Sequence, residues 1–256
     1  MGESVIGLVE EHTHPAAIIG VLGIGAFATA VAVESTGAIG AESVRYIDVQ
    51  PSIVDEIAKL DVLILITEED VMYYKAFYEV AKVAIKRRIL VIGVVITDAV
   101  FECEDRAFAS GLFACSDCIV TLPYEKASEI MCITRTLHSM LDANNIIKLD
   151  IVDLRNVLGD SGTAWFGRGG AGGTNKGARA GEDAINQYRD SALSVNSVKR
   201  ILVFARCPDS DSFLFDLERA AAYIKNLTPD DTAINIGAML DDTLDDEMIV
   251  DLIITC

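Results

Sequence analysis

The stretch Ile89–Thr97, ILVIGVVIT, runs nine residues without a charge. It is too short for an ordinary globular helix and too uniformly apolar for a strand with one wet face, so it reads as a strand buried on both sides. Ala16–Leu22, Val44–Val49 (VRYIDV), Asp61–Thr67 (DVLILIT) and Cys118–Leu122 are read as further strands. A short helix to Leu60 follows VRYIDV, and a longer one is expected over Asp70–Arg88, where Tyr74, Phe77, Tyr78, Ala81 and Ile85 recur at helical spacing. Strands alternating with helices in this way predict an α/β chain with a parallel sheet covered on both faces.

After Pro123 the rhythm changes. A helix is expected over roughly Glu125–Ala143, followed by NNIIKLDIVDLRNVL. Gly159–Gly181 then holds nine glycines, the composition of a flexible linker, yet it also carries Trp165 and Phe166, which solvent linkers seldom do. The remainder reads as strand (Lys199–Phe204), helix (Phe213–Leu227), strand (Thr232–Leu240) and strand (Met248–Thr255). The expected division is 1–122, a connecting helix and loop over 123–150, and 151–256.

The uncharged run Ala16–Val33, AAIIGVLGIGAFATAVAV, has the length of a short membrane span. It has no flanking Lys or Arg, no aromatic belt and three internal glycines, Gly20, Gly23 and Gly25, and no basic region of a secretory signal precedes it. A strand, glycine turn and helix is therefore expected, in a cytoplasmic protein with no direct membrane insertion. Gly23-Ile-Gly25-Ala-Phe-Ala28 is G-x-G-x-x-A after a strand, the dinucleotide-binding pattern, with Asp48 near where a ribose-binding carboxylate falls. An NAD-dependent enzyme is thus one reading, although His12, His14 and His138 form no evident hydride-transfer constellation. The net charge of −18 excludes a broad nucleic-acid surface and a polybasic membrane face. Cys115 and Cys118 form a single C-x-x-C, with Cys103 and Cys132 at loose distances, and read as small buried hydrophobes rather than a zinc site.

Four segments of the second half, in order, resemble the FtsZ/tubulin superfamily. Ile147–Leu154 (IKLDIVDL) is similar to its catalytic loop, GTAWFGRG (Gly162–Gly169) to its G-x-A-x-M-G-x-G, GARAGEDAI (Gly177–Ile185) to the start of its next helix, and Asp231–Thr255 to its closing strand pair. In the first half, IGVLGIGAFATAV lies on the family's first glycine loop and Pro123 on a family proline. The resemblance implies a Rossmann-type parallel sheet domain joined by a central helix to a smaller α+β C-terminal domain. It also implies self-association or contact with FtsZ-like filament subunits, with GTP and Mg²⁺ as the cofactors to consider. By the same resemblance Gly20, Gly23 and Gly25 are candidates for nucleotide binding. Asp150 and Asp153 are the loop acids that orient water against the nucleotide of a neighbouring subunit, and Lys148 replaces the family's Asn.

The family's second glycine loop, GGGTGTG, has no counterpart: the chain reads ITEEDVMY over Ile66–Tyr73. Glu68, Glu69 and Asp70 stand where phosphate oxygens would go, and each carboxylate facing one at ~4 Å costs about 1–4 kcal/mol. These acids either cap the following helix or, the alternative, hold Mg²⁺. Likewise Asp153 is either a loop acid or an N-terminal helix acid ahead of LRNVL. The interval from Tyr124 to Ile147 is shorter than in the family, and the family's adaptor-binding tail is not expected after Cys256. The expectation is an FtsZ-like cytoskeletal scaffold without efficient GTP hydrolysis and with no cofactor required. An active GTPase with an unconventional site is the first alternative and an NAD-dependent enzyme the second.

Overall fold

The computed structural model describes residues 17–40, 42–50, 52–98, 112, 114–159, 161–190, 197–208 and 212–256. His12, His14 and Cys103 lie outside the described residues. The elements run β1 (Ile19–Ile24), α1 (Ala26–Ile39), β2 (Val44–Tyr46), α2 (Ile53–Ile57), β3 (Val62–Glu68), α3 (Val71–Lys86), β4 (Leu90–Ile96) and β5 (Cys118–Leu122). They continue as α4 (Glu129–Met140), α5 (Ile151–Leu158), β6 (Gly162–Gly172), α6 (Lys176–Asp190), β7 (Arg200–Cys207), α7 (Phe213–Asn226), β8 (Ala233–Leu240) and β9 (Glu247–Thr255). The strands form one nine-stranded sheet in the order β2-β1-β3-β4-β5-β6-β9-β7-β8.

The first five strands are parallel, and β1, β3, β4 and β5 are buried on both faces, as their near-continuous hydrophobicity requires, while the edge strand β2 is only partly buried. Along β3, Val62, Ile64 and Ile66 join α1, α4 and α5 in one core, while Leu63 and Leu65 join α2 and α3 in the other. The sequence expectation runs ahead of the structure at VRYIDV, where only Val44–Tyr46 is strand, and Glu125–Ala143 is a 3-10 turn at Tyr124–Lys126 followed by the shorter α4. From Ile19 to Val33 the apolar run is β1, a turn at Gly25 and the first part of α1, and no helix among the described residues is long and apolar enough to cross a membrane.

The glycine-rich run is not a linker. Gly162–Gly172 is the strand that joins the two halves of the sheet, pairing in parallel with β5 at Cys118↔Gly162 and Ile119↔Thr163 and antiparallel with β9 from Ala164 onward. A Cβ at Gly169 would come within 2.2 Å of the Ala180 carbonyl of α6, and one at Gly177 within 1.9 Å of the Asp216 carbonyl of α7. These glycines let two helices pack closely on a strand and on each other, which a linker has no need to do.

The sheet also fixes where a ligand would lie. β1 connects through α1 to β2 on one side and continues to β3 on the other. The crevice beyond the carboxyl ends of β1 and β3 is thus a topological switch point, the usual ligand position in open α/β sheets.

Candidate functional site

That crevice is built from the end of β1 at Ile24, the turn at Gly25, the first residues of α1, and Glu68–Asp70 at the end of β3. Gly25 has φ 107, a region open to glycine, and ends the strand so that α1 begins at once. α1 has no side-chain cap of its own and no acidic residue in its first turn. Its free N–H groups are instead met by Glu68 from β3, whose Oε1 accepts from Phe27 N at 3.0 Å and Ala28 N at 3.3 Å. A carboxylate is what the positive end of a helix favours, and it sits where a phosphate would be cradled.

The neighbouring acids are engaged elsewhere. Glu69 accepts a short hydrogen bond from Thr97 Oγ1 beyond β4. Asp70 is the N-cap of α3 and accepts from Met72 N at 2.9 Å. The three carboxylates therefore turn to three different elements. Among the described residues no group of three His, Cys, Asp or Glu is placed to share a metal ion. Glu68, Glu69 and Asp70 are each held by a different backbone or hydroxyl donor.

The walls of the crevice are aromatic. Phe27 and Tyr124 meet at a tilt of 53° with ring centroids 5.3 Å apart, and a Cβ at Gly25 would meet Glu68 Oε1 at 2.4 Å and Tyr73 Cε2 at 3.1 Å. Burial, then the charges of Glu68, Asp98 and Glu69, raise the Tyr124 hydroxyl. Tyr74 is pushed up to about 12, first by burial and then by Glu69 and Asp70. The crevice thus holds neutral phenols in its neighbourhood and carries its own anion on the helix end.

The three candidate glycines are not equivalent. Gly20 is in the middle of β1, where a Cβ would strike Leu60 Cδ1 at 2.4 Å; it makes room for a core leucine and does not belong to the crevice. Gly23 lies under α1, within 2.3 Å of the Ala28 carbonyl for a Cβ, and its own carbonyl accepts from Thr29 Oγ1 at 3.1 Å. Only Gly25 faces the crevice. Asp48 is exposed beyond β2 and accepts from Gln50 Nε2 at 2.7 Å.

The loop acids form a second, separate place. Asp150 Oδ1 accepts from Val152 N at 2.7 Å and Asp153 N at 2.9 Å, and Asp153 Oδ2 accepts from Asp150 N at 3.0 Å. This is a reciprocal capping box at the start of α5, so the helix-acid reading of Asp153 describes its contacts. Lys148 is exposed and makes no ion pair among the described residues. α4 starts near the carboxyl end of β5 and runs back until His138 Nε2 meets Ser43 Oγ, ahead of β2, at 2.9 Å. Asp150 and Asp153 are thus at the opposite end of the sheet from Gly25, and one molecule cannot bring the two places together.

Sequence reading missed the most buried charge. Asp251 on β9 is 0% exposed and binds Arg168 Nε at 2.5 Å and Arg206 Nη2 at 3.3 Å. Arg168 Nη2 also reaches Thr136 Oγ1 of α4 at 3.0 Å, so this network ties α4 to the C-terminal strands. Burial works to lower the Arg168 pKa, but the hydrogen bond and charge of Asp251 outweigh it and hold the guanidinium charged. The available signal was a single Asp inside the apolar run IVDLIIT. Cys115 and Cys118 are buried, Cys115 raised to about 11 and Cys118 further by burial, as befits inert core thiols.

Comparison with known proteins bears on the whole of this arrangement. The family model for the FtsZ family, C-terminal domain, matches residues 162–256. The cell division protein FtsZ 2 of Rhizobium meliloti is 30% identical over 128 residues, covering 50% of this chain and 36% of that protein. An empty FtsZ dimer of M. jannaschii superposes with a TM-score of 0.73 at 17% identity, covering 94% of this chain and 89% of the other. TubZ in GDP-form protofilaments, from Bacillus thuringiensis serovar israelensis, does so with a TM-score of 0.63 at 12% identity, covering 94% and 86%. The chain spans about a third of the length of the curated relative it matches.

Proposed function

We propose that this chain, a member of the FtsZ/tubulin superfamily, is a cytoskeletal scaffold that assembles with itself or with FtsZ-like filament subunits and does not hydrolyse GTP efficiently. The observation that carries the proposal is Glu68 on the amides of Phe27 and Ala28: the helix end that would receive phosphate already has a carboxylate. Self-assembly is supported by the neighbours of known structure, an FtsZ dimer and TubZ protofilaments. The separation of Asp150 and Asp153 from the crevice supports it too, since any joint use of both places needs two molecules. A subunit that offers its loop end to a neighbour but holds no nucleotide would act at one end of a filament, as a cap or regulator. A cytoplasmic location belongs to the same proposal.

The test is calorimetric titration of GTP, GDP and NAD into the full chain, with and without Mg²⁺. No heat and no shift in melting temperature are expected. Micromolar GTP binding would reject the scaffold reading in favour of an active GTPase, and binding of NAD would revive the dehydrogenase reading. The filament-end version fails on its own if equimolar addition leaves the length and GTPase rate of FtsZ filaments unchanged.

A further inference from the structure

The outward face of α3 differs in charge from the chain that carries it. Phe77, Ala81 and Ala84 turn inward and are buried against the sheet. On the other side Lys75, Tyr78, Lys82, Ile85 and Lys86 recur at the spacing of a single helical face, and all five are exposed. Tyr78 and Ile85 are each 40% exposed, and the Lys82 ammonium lies 5.3 Å from the centre of the Tyr78 ring. Arg87 and Arg88 follow at the end of the helix and are exposed as well. The stripe thus alternates cations with apolar side chains along the flank of the first half.

None of these cations makes an ion pair among the described residues. The acids around them are few or engaged. Glu79 is the one acid on α3 itself. On α2, Glu56 is paired with Lys59 at 3.4 Å, and Asp55 is exposed. Asp70 caps the start of α3, and Glu69 is held by Thr97. At the far end Arg155 donates to the Arg88 carbonyl and adds a cation, while Asp61 and Asp117 accept from the amides of Ile18 and Val91. The interval 99–111, with Glu102, Glu104, Asp105 and Arg106, lies outside the described residues. The whole chain carries −18, so the stripe is a local exception, and that difference of scale selects its occupant. A bilayer or a nucleic acid is an extended anionic surface that would also face, and repel, the acidic surroundings of the stripe. Two copies of so acidic a chain repel one another. A single acidic segment no wider than the helix meets the cations within a Debye length of about 8–10 Å and leaves the rest of the surface in solvent.

We propose that the outward face of α3 is a docking site for an acidic segment of another protein that carries apolar side chains two helical turns apart. Its carboxylates meet Lys75, Lys82, Lys86 and the arginines beyond them, and its apolar side chains lie on Tyr78 and Ile85, which stand about 10 Å apart along the helix. The site is on the face of the sheet opposite α1 and α4. It uses neither the crevice at Gly25 nor the loop at Asp150, and it stands whether or not the chain binds GTP or forms filaments.

The experiment uses the full chain and a fluorescein-labelled, end-blocked peptide Asp-Leu-Glu-Glu-Ala-Glu-Glu-Ala-Leu-Glu-Asp, read by fluorescence anisotropy. Saturable binding is expected, weakening as salt rises. A peptide with Lys at every acidic position, and one of the original composition with its two leucines side by side, should each bind more weakly. Lys82→Glu is expected to cost roughly fivefold in affinity, and Lys82→Glu with Lys86→Glu about tenfold or more. Lys199→Glu reverses an exposed lysine outside the stripe and should leave the affinity unchanged. All of these side chains are exposed, so the fold is not at risk. Absence of saturable binding at about 1 mM peptide, equal affinity for the acidic peptide and either control, or an equal loss with Lys199→Glu overturns the proposal. So does co-sedimentation with phosphatidylserine vesicles that the double reversal abolishes, since the stripe would then be a membrane face. A wild-type dimer that the same reversal dissolves would likewise overturn it, by giving the stripe to a second copy of this chain.

Discussion

Glu68 and Phe27, forty-one residues apart in sequence, are joined by a hydrogen bond of 3.0 Å from the Phe27 amide to the Glu68 carboxylate. This one contact shapes the crevice in three ways. It supplies the cap that α1 lacks in its own sequence and places a negative charge at the helix end. It also sits against Gly25, whose φ of 107 already disfavours any side chain there.

Glu68→Ala should therefore destabilise the fold by about 1 kcal/mol, the usual worth of an N-cap carboxylate. Glu68→Gln, which keeps an acceptor but loses the charge, should cost less. Urea denaturation of the three proteins checks this ranking. An unaltered midpoint for Glu68→Ala would mean that Glu68 is not the cap and that the amides of Phe27 and Ala28 are available to a ligand.

Asp150→Ala should cost about 1 kcal/mol through loss of the capping box, while Asp150→Ser, still a good N-cap, should stay near wild type. The same pair of variants separates structure from chemistry. If Asp150 works only as a cap, Asp150→Ser will behave as wild type in every co-assembly assay with an FtsZ filament. A loss of filament GTPase with Asp150→Ser, at unchanged stability, would give the carboxylate a role toward the neighbouring subunit.

How much of this could be read from the chain follows from the range of the interactions. The strands of the first half were legible because burial on both faces leaves an unbroken apolar run, as in ILVIGVVIT. Asp153 was legible as a helix acid ahead of LRNVL, but its reciprocal cap with Asp150 was not read from the spacing. β6 was not legible, because its glycines, required where α6 lies against the strand at Gly169, have the composition of a linker. Glu68 was placed by sequence at the right end of the sheet, but its partners are amides of α1, forty residues earlier in the chain. Arg168 and Asp251, eighty-three residues apart, carry no local signal at all beyond a charge where none is expected.

Alkaline pH should weaken the protein through Tyr74. Its hydroxyl is raised to about 12 in the folded state, by burial first and by Glu69 and Asp70 next, against 10.0 ordinarily. Between these values the unfolded chain has released the proton and the folded one has not. The contribution of Tyr74 is thus fully present below pH 10 and is lost as pH rises toward 12. Tyr74→Phe should flatten the fall in stability over that window when the two proteins are compared by denaturant midpoint at successive pH values. An identical decline in both would remove Tyr74 as its source.

The largest single loss should come from Asp251. It is fully buried between two arginines, and Asp251→Ala strands both guanidinium groups, which are themselves mostly enclosed, without their common counter-charge. Breaking one side of a buried ion pair typically costs about 3–5 kcal/mol, more than the pair contributes against an apolar replacement. The double change Asp251→Ala with Arg168→Met should recover part of that loss, because Arg168 no longer needs a partner, although Arg206 keeps Asp241 at 3.9 Å as its remaining carboxylate. Arg168 also holds Thr136, so the double variant should regain stability while loosening α4 from the C-terminal strands. Hydrogen exchange resolves the two effects. Faster exchange over α4 at a partly restored global stability is expected, and unchanged protection of α4 would show that the packing of Ile130, Ile133 and Leu137 alone fixes that helix.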